Sequence, residues 1–60
     1  MNATLRETRK EQGKTQQQMA DLAGISLKSY QRIENGVQDP SVSVAKRIAK
    51  ALKSTVEGLF

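Results

Sequence analysis

Between Gln16 and Gly36 the chain reads QQQMADLAGISLKSYQRIENG, and the polar residues there are placed to do binding chemistry. A helical period turns Met19, Ala23, Ile25, Tyr30 and Ile33 inward. It leaves Ser26, Leu27, Lys28, Gln31, Arg32 and Asn35 on the outside. The outward set offers a hydroxyl, two amides, an ammonium and a guanidinium within about two and a half helical turns. Such donors and acceptors on a short helix suit base edges and phosphates in a DNA major groove. Lys28 could donate to guanine O6 or N7, or to a phosphate. Arg32, one turn on, could grip a guanine bidentately or clamp a phosphate. Gln31 could pair with adenine or touch only backbone. Leu27 suits a thymine methyl, or else packs on Tyr30.

Two helices crossing through a tight turn must hold this set in place. Ala20 permits a close approach, and Gly24 supplies the backbone freedom of the turn. Thr15 followed by Gln18 is a capping box, so the second helix opens at Thr15, carries Met19, Leu22 and Ala23, and stops at Gly24. The third is capped by Ser26 and runs to about Asn35, with Gly36 as its stop. A first helix is predicted over Asn2 to Gln12, with Ala3, Leu5 and the stem of Arg9 on one side and Gly13 at its end. After Asp39-Pro40 a fourth runs from about Ser41 to Leu52. Its apolar face holds Val42, Val44, Ala45, Ile48, Ala49 and Leu52. Lys46, Arg47, Lys50 and Lys53 read most simply as its solvated face. Thr55 caps a last short helix ending in Leu59 and Phe60. No segment alternates like a strand, so the fold class is all-α, a single domain over residues 1–60.

Composition sets the outer limits. Sixty residues allow one small domain that buries about 60% of its unfolded surface. Cysteine is absent, so packed helices or a second subunit must replace disulfide staples. That absence fits a cytoplasmic protein. With no His and no Cys, a zinc site built from them is excluded, and no cofactor or metal is expected. The same lack, with one Tyr and no carboxylate pair at catalytic spacing, argues against an enzyme. No small-molecule ligand is evident. Ten Lys and Arg against six Asp and Glu give a net charge of +4, which favours a polyanionic partner without naming one. No window approaches the roughly 20 apolar residues that cross a membrane, and the first ten residues are too polar for a secretory signal.

The segments TQQQMADLAG, IS, LKSYQRIENG, PS and RIAKAL together resemble the lambda-repressor-like, Cro-type helix-turn-helix regulators, the XRE family. The resemblance covers roughly Leu5 to Phe60 and is specific in its spacing. It implies a compact bundle of five helices in which helices two and three form the DNA-binding unit. Helix three would enter the major groove, with Ser26, Leu27, Lys28, Gln31 and Arg32 facing bases. The family uses the position of Gln16, at the head of helix two, to hold a phosphate, where free N–H groups and the helix dipole assist. Gln17 and Lys14 are weaker phosphate candidates, and Asn35 is another by the same analogy. Arg9 and Glu34 match positions that form a partly buried salt bridge between helices one and three. Members commonly bind palindromic operators as homodimers and regulate transcription, often as repressors. Val56, Leu59 and Phe60 lie near where many of them meet their mates.

The chain departs from the family in the loop after IENG. That loop is often rich in Lys or Arg, but here it is Val37-Gln38-Asp39. Lys10, Lys14 and Lys46 are the cations that could compensate. The rival reading is a helical protein-interaction module, an adaptor or antitoxin, offering an apolar groove instead of a base-reading helix. RNA binding ranks third, because few aromatics are available for stacking.

Overall fold

A computed structural model describes residues 3–60. Its helices are α1 (Ala3–Glu11), α2 (Gln16–Ala23), α3 (Leu27–Glu34), α4 (Val42–Ala51) and α5 (Val56–Leu59), and the described residues contain no strand. Asn2, where the first helix is expected to begin, lies outside the described residues.

Local chemistry explains the boundaries. Thr15, Ser26, Ser41 and Thr55 all have extended backbone and accept an N–H from three residues on, so each is a cap and its helix begins one residue later. The capping box at Thr15 is complete: Gln18 N–H meets Thr15 Oγ1 at 3.1 Å, and Thr15 N–H meets Gln18 Oε1 at 2.8 Å. Gly24 ends α2 in the left-handed region, φ +72°, with Ile25 N–H closing onto Ala20 O. A side chain there would also bring its Cβ within 2.8 Å of Arg47 Nη1. The end of α4 takes the same shape without a glycine. Lys53 adopts φ 53° and Ser54 N–H bonds Ala49 O.

The tertiary plan centres on α2, which lies against both α3 and α4, while α1 packs on α3 and α5 on α4. One core results, built from Leu5, Met19, Ala20, Ala23, Tyr30, Ile33, Ile48, Ala49, Leu52 and Leu59. Ala20 is fully buried, as a close helix crossing requires.

Four sequence expectations need correction. Leu22 is 53% exposed, because the buried arc of α2 is centred on Met19, Ala20 and Ala23 and rotates Leu22 past its edge. Val42 is exposed, since the first residue of α4 stands ahead of the turn that meets the core. Ala3 is exposed for the same reason at the start of α1. Arg47 does not simply face water. Its Nη1 reaches Ala23 O at 3.4 Å, across the open C-terminal end of α2. Gln12 does similar work for α4, donating from Nε2 to Leu52 O at 2.7 Å.

Candidate nucleic-acid interface

The outward residues of α3 divide into free and tethered groups. Lys28 and Arg32 are exposed and one turn apart, so their cations project from one face of the helix. Leu27 stands at the N-terminal edge, partly open to solvent. Ser26 is committed at its oxygen, which accepts Ser29 N–H at 3.1 Å, so its hydroxyl remains available chiefly as a donor. Gln31 is half-buried and donates from Nε2 to Gln16 Oε1 at 3.2 Å. That bond runs from α3 to the first residue of α2. It limits the rotamers of both amides and leaves Gln16 Nε2 free to donate.

The other polar candidates lie around this centre. Gln17 donates to Asp21 Oδ1 at 3.0 Å on its own helix, which draws its amide away from the α2 N-terminus. Lys14 is half-buried in the turn before Thr15, and its carbonyl accepts Arg9 Nη1 at 2.8 Å. Asn35 closes α3 as its C-cap and is exposed.

Behind the face lies an ionic buttress. Arg9 donates from Nε to Glu34 Oε2 at 3.0 Å and from Nη2 to Glu34 Oε1 at 2.9 Å, a bidentate fork. The Glu34 side chain has no exposure and that of Arg9 has 9%. Arg6 adds a third bond, Nε to Glu34 Oε1 at 3.4 Å, and donates from Nη2 to Asn35 Oδ1 at 3.0 Å. Burial by itself would raise the Glu34 carboxyl. The Arg9 hydrogen bonds and charge outweigh it and hold Glu34 below its ordinary 4.5. The same bonds raise the Arg9 guanidinium against the effect of its own burial. Tyr30 lies beside the pair, with its buried hydroxyl lacking a hydrogen-bond partner among the described residues. Burial first, and then the adjoining Glu34 carboxylate, push this phenol well above its ordinary 10.0. The buttress therefore ties α1 rigidly to the far end of α3.

A helix-turn-helix family profile matches residues 5–59. The chain belongs to the XRE family of helix-turn-helix transcriptional regulators. This XRE-family chain is 38% identical to an HTH-type transcriptional regulator of Methanothermobacter thermautotrophicus, over 100% of the chain and 88% of that protein. It is 42% identical to the HTH-type transcriptional regulator YqaF of Bacillus subtilis, over 87% of the chain and 68% of that protein. It is 45% identical to the cryptic phage CTXphi transcriptional repressor RstR of Vibrio cholerae, over 85% of the chain. The chain spans 46% of the length of RstR. The family is one of DNA-binding regulators, not a class of enzymes. No helix among the described residues is long and apolar enough to cross a membrane.

Arg6 is not among the residues that the sequence motifs single out. Its signal was present: Arg6 stands three residues before Arg9, so both guanidiniums lie on one side of α1. Gln16 and Gln31 stand apart in the sequence, and nothing in one dimension joins residues 15 positions apart.

Proposed function

We propose that this regulator binds double-stranded DNA sequence-specifically and acts as a cytoplasmic transcriptional repressor, with α3 in the major groove. The observation that carries this reading is the exposed Lys28 and Arg32 pair on a helix held at two points along its length. The Gln16–Gln31 bond ties its middle to α2, and the Arg9–Glu34 fork ties its C-terminal end to α1. A helix held in this way loses little entropy on docking. In this reading Lys28 and Arg32 donate to guanine, Leu27 meets a thymine methyl and Ser26 donates at the groove edge. Gln31 reads adenine in a pose set by Gln16, and Gln16 uses its free amide on a phosphate near the α2 N-terminus. Lys14 and Asn35 give further phosphate contacts, and Gln17 a minor one. The name of RstR supports repression over activation.

The regulator acts as a homodimer on a palindromic operator. Leu59 is only 3% exposed and belongs to the subunit's own core, so the facing surface is the groove lined by Pro40, Val42, Ala45, Val56 and Phe60. Asp39 and Glu57 stand on its rim together with Lys46. Acid and cation on one rim allow two copies to pair across a two-fold axis with opposite charges meeting. Such a dimer sets two recognition helices about 34 Å apart, one DNA turn.

The test is selection of bound duplexes from a random library, repeated with the Lys28→Ala/Arg32→Ala double variant. A palindromic motif that the double variant loses is the expected result. Weak, salt-sensitive binding without a motif, alike in both proteins, would refute base reading by α3 and favour a protein partner.

A further inference from the structure

Glu34 is shared by two guanidinium groups, and one carboxylate neutralises only one of them. The trio Arg6, Arg9 and Glu34 therefore carries a surplus positive charge. Arg9 is enclosed, so the surplus resides on Arg6, whose side chain is 31% exposed. Arg6 is also the residue that holds Asn35. A guanidinium has no acceptor, so the Asn35 atom it meets at 3.0 Å must be the amide oxygen. That contact sets the amide plane and leaves the Asn35 NH2 group turned away from Arg6 with both hydrogens to offer. Arg6 Nη1 has no partner among the described residues. A cation and an oriented amide thus stand together where α1 meets the C-terminal end of α3. The loop that follows, Val37-Gln38-Asp39, contains no cation.

We infer that Arg6 and Asn35 form a two-residue clamp for one backbone phosphate of duplex DNA. Arg6 supplies charge and orients the Asn35 amide, and the pair replaces the cationic contact that the loop after α3 lacks. The inference rests on the DNA-binding reading above.

The experiment measures binding to the selected duplex across a salt series for the wild type, Arg6→Ala, Asn35→Ala, the double variant and Arg6→Lys. Arg6→Ala should weaken binding on the order of tenfold and reduce the slope of log affinity against log salt by about 1 per subunit. Asn35→Ala should weaken binding and leave the slope unchanged. The double variant should match Arg6→Ala within about twofold, because an unoriented Asn35 has little left to lose. Arg6→Lys should keep the slope and bind with intermediate affinity, since an ammonium keeps the charge but not the fork. In the free protein, the Asn35 side-chain amide should give restrained NMR signals that become mobile in Arg6→Ala and in Arg6→Lys. Arg6 is half-exposed and its ion pair contributes little to stability, so these variants should fold.

An unchanged salt slope in Arg6→Ala, or single-variant losses that simply multiply, would overturn the clamp while leaving DNA binding intact. Asn35 amide signals unaltered in both Arg6 variants would overturn it without reference to DNA. A wild type that binds no duplex would overturn the DNA reading itself, and the clamp with it.

Discussion

Replacing Glu34 by Gln should remove most of the stability of this chain. The fold carries Glu34 with no side-chain exposure and Arg9 with 9%, joined by hydrogen bonds of 3.0 and 2.9 Å. Glutamine fills the same volume but keeps only one acceptor oxygen, and its NH2 group faces a guanidinium donor. Arg9 is then a buried cation without a counter-charge, and Arg6 repels it. Breaking one partner of a buried pair costs about 3–5 kcal/mol. A domain of this size, with neither disulfide nor metal, holds only about 3–5 kcal/mol in total. The variant should therefore stand near its unfolding midpoint at room temperature. At about 4–8 °C per kcal/mol, a loss of about 3 kcal/mol lowers Tm by roughly 12–24 °C. Thermal and urea unfolding followed by far-ultraviolet circular dichroism would read this directly. The Arg9→Met/Glu34→Gln double variant should recover more than about 1 kcal/mol relative to Glu34→Gln, because no unpaired charge is left at Arg9. Acid titration gives a second reading. The folded Glu34 carboxyl lies below its unfolded value, so its contribution is complete above pH 4.5 and is lost as pH falls through the depressed value. The wild type should weaken below pH 4.5, and Glu34→Gln should lack that component. A Glu34→Gln loss under about 1 kcal/mol, or a double variant as unstable as the sum of its parts, would refute the buttress argument.

Two further outcomes follow from the same geometry. Lys53 ends α4 at φ 53°, a conformation that costs a residue with a Cβ, so Lys53→Gly should raise stability by about 0.5–1 kcal/mol in urea unfolding; no rise in the midpoint would refute strain there. Val42 is 73% exposed and touches little within its subunit, so Val42→Glu should leave the unfolding free energy within about 0.5 kcal/mol of the wild type yet weaken self-association at least about tenfold in sedimentation. A wild type that stays monomeric at every concentration, with and without operator DNA, would count against the dimer.

Much of this molecule is determined locally, and those parts are legible along the chain. Thr15, Ser26, Ser41 and Thr55 start their helices because a cap hydroxyl needs only the N–H three residues on, which is a property of a few adjacent residues. Gly24 ends α2 for an equally local reason, its tolerance of φ +72°. The all-α class, the order of the helices and the outward position of Lys28 and Arg32 follow from periodicity. The end of α4 shows the limit of such signals: Lys53 takes the left-handed conformation that elsewhere falls to glycine, because packing of α4 and α5 demands the turn and no composition marks it. Which apolar residues face the core was also decided in three dimensions. Leu22 and Leu52 both sit at helical spacing with apolar neighbours, yet one is 53% exposed and the other 1%, because burial depends on where a second helix lands. The polar network is tertiary altogether. Arg6, Arg9, Glu34 and Asn35 meet across 25 or more residues, Gln16 meets Gln31, and Arg47 reaches Ala23. Spacing can place each of these side chains on a face of its own helix. Only the packed bundle brings the faces within hydrogen-bonding distance, and there burial makes the ionic contacts strong enough to orient the helix proposed to read DNA.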